Sequence, residues 1–423
     1  MSEIKRLTQI PVLVAAIGLG SACVAGSAFG SSGGDDVLVL KVGKILTMNA
    51  DDDVINNGTI VVRGTTIAEI GKWGEVDVPA GADVIEMTDC WLVPGLVEAH
   101  NHTGGSMSDL HDYVYLTNPG LRTLDTVAPQ TPDVEWAQSG GVTSALLIPG
   151  SGTNMSGFGT VVKFAGKSAD EAVLKFPASI KIAQAGNPEG YWWGVGRMFM
   201  NYNLRATLEQ AREYNAAWEQ YESGQSETKP LFNPMWDDFR GLYRREFVAS
   251  VHTQIYQVVM TTVDMLADKL AIRTVLDHST FDGWKTARLV TEQGDILTMN
   301  GPRQFHFDRT QRKIHGNAAR WWQSGIRRLG VNTDAPVIPQ HELSYQGAMA
   351  CWYGWTPYEA LRGITRVSSE ALMVDDRIGS IEVGKDADVC IWSGDPIDPR
   401  STCWIMVING DVVRDARDEL RRF

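Results

Sequence analysis

Short apolar runs that end in polar or histidine residues recur through the middle of this chain, and that alternation limits the fold more than any other feature. The runs are "GLVEAHNH", "GVTSALLIPG", "ASIKIA", "FVASVH", "IRTVLDHS", "DILTMNGP" and "LGVNTD". Helical patterns lie between most of them. Leu204, Leu208, Ala211, Tyr214, Trp218 and Tyr221 recur at steps of three and four, one face of a helix. Ile255, Val258, Val259, Leu266 and Leu270 repeat the pattern between the fifth and sixth runs. Strand–helix alternation of this length implies βαβ units and a parallel sheet. Seven or eight such strands predict an α/β architecture, a closed (β/α)8 TIM-like barrel, whose chemistry sits at the C-terminal ends of its strands. The polar residues of these runs fall at those ends.

The two ends of the chain differ from its middle. Val37 to Ile85 reads as β structure, with "TIVVRGTTIAEIG" forming a hairpin around Gly64. "GSIEVGKDADVCIW" and "CWIMVINGDVV" have the same texture, β-branched runs broken by Gly and Asp. A length of 423 residues suits one large barrel plus a smaller part.

The first 28 residues stand apart. Lys5 and Arg6 precede an apolar run from Ile10 to about Gly26, and Gly26-Ser27-Ala28 follows as a cleavage site, the layout of a secretory signal peptide. The run is short and carries several Gly and Ser, so a transmembrane anchor fits less well. Residues 29–36 form a linker. The expected location is periplasmic or extracellular, with a weak match to lipid attachment at Cys23. Cys90, Cys351, Cys390 and Cys403 show no CxxC spacing, which disfavours a zinc knuckle. Free buried cysteines are the simpler expectation, and a Cys390–Cys403 disulfide is the alternative. A net charge of −13 argues against nucleic acid as a partner.

Six residues stand out at the strand ends: His100 and His102 on the first strand, Lys181 on the fourth, His252 on the fifth, His278 on the sixth and Asp334 on the eighth. Residues i and i+2 of a strand share a face, so both imidazoles of "HNH" point into the barrel mouth and Asn101 points away as a structural residue. Each alone has an ordinary explanation as a satisfied polar group, a solvated lysine or a turn residue. Together they place five ligand-type side chains at one end of one barrel, a donor set suited to Zn²⁺ or a similar divalent ion.

"LVPGLVEAHNH" resembles the HxH strand of the amidohydrolase superfamily, and the resemblance runs from about Val37 to Asp415. It is to the imidazolonepropionase-like branch, through "NPGLRTLDTVAPQTPDVEWAQSGGVTSALLIPGSGTNMSGFGTVVK" and the C-terminal "RIGSIEVGKDADVCIWSGDPIDPRS". It implies a small composite β-sandwich built from residues 37–94 and 378–423, flanking a barrel over residues 95–377. It implies that His100, His102 and Asp334 hold one metal. His252 and His278 then hold a second, or one serves the single metal while the other contacts substrate. Lys181 falls where binuclear members carry a carboxylated lysine bridge. Asp334 becomes the general base and acid: the ion supplies a hydroxide nucleophile, and Asp334 passes the water's proton to the leaving nitrogen.

The expected function is therefore hydrolysis of an amide or cyclic amide C–N bond in a small molecule. A peptidase or deacetylase of the same superfamily, acting on dipeptides or N-acyl groups, and an inactive exported binding relative are the alternatives. A homo-oligomer is left open. The loop "PGSGTNMSGFGT" lacks the Lys-Ser/Thr of a phosphate loop and is expected to contact substrate through Asn154. Arg303 and His306, with Asp308 beside them, follow the seventh strand, where an arginine suits a substrate carboxylate. "YWWGVGRMFMNY" is either a lid or specificity wall, or ordinary helix packing.

Overall fold

The computed structural model describes residues 37–107, 109–184 and 186–417. The signal-peptide and linker segments and Cys23 lie outside the described residues. Two large sheets organise the rest. The first takes β1 (Val37–Leu46), β2 (Val54–Arg63), β3 (Thr66–Lys72) and β4 (Asp83–Pro94) from the front of the chain. The second is the barrel sheet: β5 (Leu96–Asn101), β6 (Val142–Leu147), β7 (Met155–Lys163), β8 (Val173–Ala183), β9 (Val248–Thr253), β10 (Thr274–His278) and β11 (Ile296–Asn300). A two-stranded hairpin, β12 (Phe305–Asp308) and β13 (Lys313–Gly316), then precedes β14 (Leu329–Val331), the eighth barrel strand. The chain returns to the first sheet through β15 (Val389–Trp392), β16 (Cys403–Ile408) and β17 (Asp411–Asp415).

The order β17-β16-β15-β4-β1-β2-β3 joins both chain ends in one continuous seven-stranded sheet. Its side chains alternate as a sheet packed on two faces requires. Val389, Ile391, Ile405 and Val407 join Leu40, Val42, Ile60 and Val62 in a core of the sheet's own. Cys390, Trp392, Met406 and Ile408 point the other way and pack with Leu96, Val142 and Leu147 of the barrel. Cys390 and Cys403 sit on this barrel-facing side as free, buried thiols, and Cys90 and Cys351 are free as well.

The barrel sheet runs β5 to β11 in chain order and ends on β14. It closes where Asn101 bridges Ala335 and the His102 amide donates to the Ala335 carbonyl at 2.9 Å. One strand departs from the uniform (β/α)8 expectation. β7 is antiparallel to both β6 and β8, because the connection from β6 is too short for a crossover helix. The second half of "PGSGTNMSGFGT" is therefore barrel strand rather than loop. The outer layer follows the helical periodicity. Leu204, Leu208 and Ala211 of the helix Arg197–Glu222 cluster with Ile180, Ile182, Ala249 and Val251. Strand alternation leaves Lys181, Ser250 and His252 on the opposite, inner face. Among the described residues no helix is long and apolar enough to cross a membrane.

A buried ion cluster ties the two sheets together. Lys163, at the end of β7, lies 2.6 Å from Asp386 and 2.9 Å from Asp388, just before β15. Arg377 pairs with Asp386 at 2.6 Å. Two of the acids in the signature "GKDADV" thus hold the returning chain against the barrel.

Candidate metal centre

All six strand-end candidates converge. The rings of His100 and His278 are 4.6 Å apart, those of His252 and His278 4.5 Å, and those of His100 and His102 5.2 Å. Asp334 Oδ1 lies 3.3 Å from His100 Nε2 and 3.1 Å from His102 Nε2. Lys181 Nζ is 3.2 Å from His100 Nε2. His100, His278 and Asp334 each offer a ligand atom within 4.8 Å of the others.

Local backbone makes this convergence possible. Asp277 and His278 are neighbours, so a regular strand would send them to opposite faces. His278 instead has φ of 66°, which turns the chain out of the strand so that both residues face the mouth. Asp334 has φ of 52°, and its side chain re-enters the mouth from the end of β14. Histidine and aspartate tolerate this left-handed region better than most residues, and such positions recur where a site imposes them.

Hydrogen bonds fix which ring nitrogen each histidine presents. His102 Nδ1 donates to the Ile148 carbonyl at 2.6 Å and His278 Nδ1 to the Gly301 carbonyl at 2.8 Å. His252 Nδ1 meets the Ser151 hydroxyl at 2.9 Å, while the Gln254 amide donates to its Nε2 at 3.3 Å. His102 therefore faces the Asp334 carboxylate with a bare Nε2, two acceptors in contact. His278 Nε2 is buried with no hydrogen-bond partner. Acceptors crowded in this way need a cation between them, and imidazoles anchored through Nδ1 are oriented for metal ligation. The residues present fit a divalent ion.

Charge at the site is set by burial and by these neighbours. Burial opposes ionisation of Asp334, yet the imidazoles of His278, His100 and His102 gathered around it overcome it and hold the carboxyl well below the usual range. Burial, with His278 and Lys181 adding to it, depresses His252 far below an ordinary histidine. His278 falls to about 4, chiefly through burial. Burial also lowers Lys181, partly offset by Asp277 and Asp334. In His100, burial and Lys181 pull downward but the adjoining Asp277 and Asp334 outweigh them, so its pKa is raised.

Two residues that sequence reasoning passed over support the cluster. Asp277 Oδ2 lies 2.9 Å from His100 Nδ1 and accepts from the Ser250 hydroxyl. Glu98 shares the inner face of β5 with His100, and its carboxylate accepts from the Thr333 amide and, at 2.8 Å, from the Thr333 hydroxyl. It thereby pins the residue next to Asp334. The signal for both was present: Asp277 precedes His278, and Glu98 precedes His100 at strand spacing.

The other expected contacts lie elsewhere. Asn154 is fully buried, its amide nitrogen donating to the Ala183 carbonyl at 2.7 Å and its oxygen accepting from Asn203 at 2.9 Å. It braces the site wall rather than facing a substrate. Arg303 is exposed beside the Phe281 ring, and His306 Nδ1 donates to Asn317 at 2.7 Å. Both belong to the β12–β13 side of the mouth, outside the histidine cluster. Asn101 is structural as expected, bonding to Thr103.

Fold and cluster together describe a barrel with a buried set of candidate metal ligands at its strand ends. A model of the Amidohydrolase family matches residues 317–419. An imidazolonepropionase from Colwellia psychrerythraea is 25% identical over 392 residues, covering 84% of this chain and 89% of that protein. An amidohydrolase from Thermotoga maritima superposes with a TM-score of 0.78 at 26% identity, over 89% of this chain and 100% of the other. The amidohydrolase tasK from Hapsidospora irregularis is 23% identical over 80% of this chain, which spans only 38% of that longer protein. The chain is thus similar to amidohydrolases along most of its length. Among them, the similarity lies with the imidazolonepropionase-like branch.

Proposed function

We propose that this protein is an exported, metal-dependent amidohydrolase that cleaves an amide or cyclic amide C–N bond in a small molecule. The observation that carries this reading is His102 Nε2 set 3.1 Å from Asp334 Oδ1 while its Nδ1 donates to a carbonyl, with the partnerless His278 Nε2 in the same buried histidine cluster. His100, His102, His252, His278 and Asp334 would hold one or two Zn²⁺ or similar ions. Lys181, fully buried and beside His100, is placed to join them once carboxylated. A divalent ion there supplies Lewis acidity that acidifies water and polarises a substrate carbonyl.

The protein's own groups do the rest. The Asp334 side chain keeps 15% exposure while those of His100 and His102 keep 0% and 9%, so Asp334 is the member of this trio that water and substrate reach most easily. Its carboxylate takes a proton from the attacking water and returns it to the leaving nitrogen. Asp277 holds His100 in orientation. Arg303 and His306, on the β12–β13 side of the mouth, would meet a charged end of a substrate.

Metal analysis of purified protein, with a panel of cyclic imides, N-acyl amino acids and dipeptides, tests this. We expect at least one tightly bound divalent ion per chain and its loss in a His100→Ala/His102→Ala variant. Asp334→Asn should keep the fold and lower kcat by about 10²- to 10⁴-fold. Less than about one-tenth equivalent of metal, without recovery on reconstitution, would sink the enzyme reading. Turnover of dipeptides alone would favour the peptidase alternative.

A further inference from the structure

Two neighbouring elements turn apolar faces outward. β12 and β13 pair with His306 opposite His315 and Phe307 opposite Ile314. Alternation sends the histidines inward, against the helix Asn317–Gln323, where His306 Nδ1 donates to Asn317 and Arg320 donates to His315 Nδ1. Phe305, Phe307 and Ile314 therefore share the outer face, with Phe307 57% and Ile314 56% exposed. The helix Leu343–Trp352 is the second element. Its Leu343, Gly347 and Ala350 are buried, while Tyr345, Met349 and Trp352, at steps of four and three, are exposed, Trp352 to 83%. Residues 343–358 carry no Asp, Glu, Lys or Arg. A helix that is apolar on both faces is normally covered on both.

The two faces adjoin, and their borders carry opposite charge. The Phe305 ring meets Tyr353, just past the helix end, at 5.3 Å. A Cβ on Gly316 would sit 2.2 Å from that of Tyr353, so only glycine lets the hairpin base pack there. The hairpin tip presents exposed Arg309, Arg312 and Lys313 against one acid, Asp308, whose carboxylate accepts from the Thr310 and Gln311 amides. The helix is bordered instead by Glu342 at its start and by Asp395 beside Cys351. The Tyr345 hydroxyl donates to the Pro399 carbonyl at 3.4 Å, which sets this acidic segment along the helix, and Asp398 and Arg400 there pair with each other.

We propose that this face binds a second copy of the chain, the hairpin of each copy laid on the helix of the other across a two-fold axis. A basic tip meeting an acidic border makes the patch self-complementary, as such an interface requires. It also gives a chain of net charge −13 one place where two copies attract. The six apolar side chains expose roughly 500–700 Å², and with tip and border added the patch reaches the about 800 Å² that each partner buries in a standard interface. An anionic lipid surface fits less well, since the acidic border and the net charge both oppose it. The inference goes beyond the hydrolase reading and does not depend on the metal centre.

Sedimentation velocity on the purified protein, from about 0.5 to about 50 µM, tests this. We expect a dimer that weakens with salt, because tip and border attract. Phe307→Glu and Trp352→Glu should each raise the dimer Kd by at least about tenfold. Arg312→Glu should raise it at low salt and much less at high salt. Val383→Glu, exposed as well but outside both elements, should leave it unchanged. Unchanged far-UV circular dichroism shows that the variants fold. A wild type that stays monomeric throughout, or a dimer that survives both Phe307→Glu and Trp352→Glu, overturns the proposal. So does a monomer that sediments with phosphatidylglycerol vesicles and ceases to do so in Trp352→Glu, which assigns the face to lipid.

Discussion

Asp277 and His278 show how one residue's backbone decides what a site contains. In a regular strand only one of them could face the mouth. The positive φ of His278 delivers both, one as a candidate ligand and the other as the carboxylate that orients His100. The histidines were legible because their residue type and i, i+2 spacing state their chemistry. Asp277, though next to His278, was passed over because its role depends on a turn that strand periodicity does not encode. Glu98 yields a prediction at the same scale. Burial pushes its carboxyl up to about 8, against hydrogen bonds from Thr333 that favour the charged form. Between the ordinary carboxylate range and about pH 8, the unfolded chain has released a proton that the native chain keeps, so stability falls as pH rises through that window. Glu98→Gln cannot ionise and should flatten the decline. Urea unfolding of metal-free protein between about pH 5 and pH 9 checks this, and equal slopes for wild type and variant would refute it.

At the scale of elements, the instructive departure is β7. Reading "PGSGTNMSGFGT" as one loop missed that its second half is a barrel strand, since glycine-rich sequence looks like loop until its neighbours are known. The antiparallel hairpin turns the first half back over the mouth, where Gly150, Ser151 and Gly152 bond to His111, His252 and Trp192. β7 also ends on Lys163, whose ammonium meets two acids of the returning C-terminal segment. Removing one partner of a buried pair leaves charge uncompensated, at about 3–5 kcal/mol. Lys163→Met should therefore lower the unfolding free energy by about that amount near neutral pH. The loss should shrink in acid, as burial already raises Asp388 and protonation removes its charge. Thermal unfolding at neutral and acidic pH measures both, and a loss that does not change with pH would contradict the pairing.

For the whole molecule, the leader-like segment 1–28 carries a prediction independent of the barrel. Export with cleavage after Ala28 gives a mature chain beginning at Phe29, to be read by intact mass on protein recovered from outside the cytoplasm. A chain found only intact and inside the cell would contradict it. Elsewhere the sequence by itself determined the class of fold, seven of the eight barrel strands and the five histidine and aspartate candidates. Periodicity and strand-end position are local properties, and a barrel sends the C-terminal end of each parallel strand to one mouth. Only the tertiary structure decided how the centre is wired. The bare Nε2 atoms, the Asp277 and Glu98 supports and the inward bracing of Asn154 all join residues far apart in the chain. Such contacts are set by strand register and loop path, which leave no periodic trace in the amino-acid order.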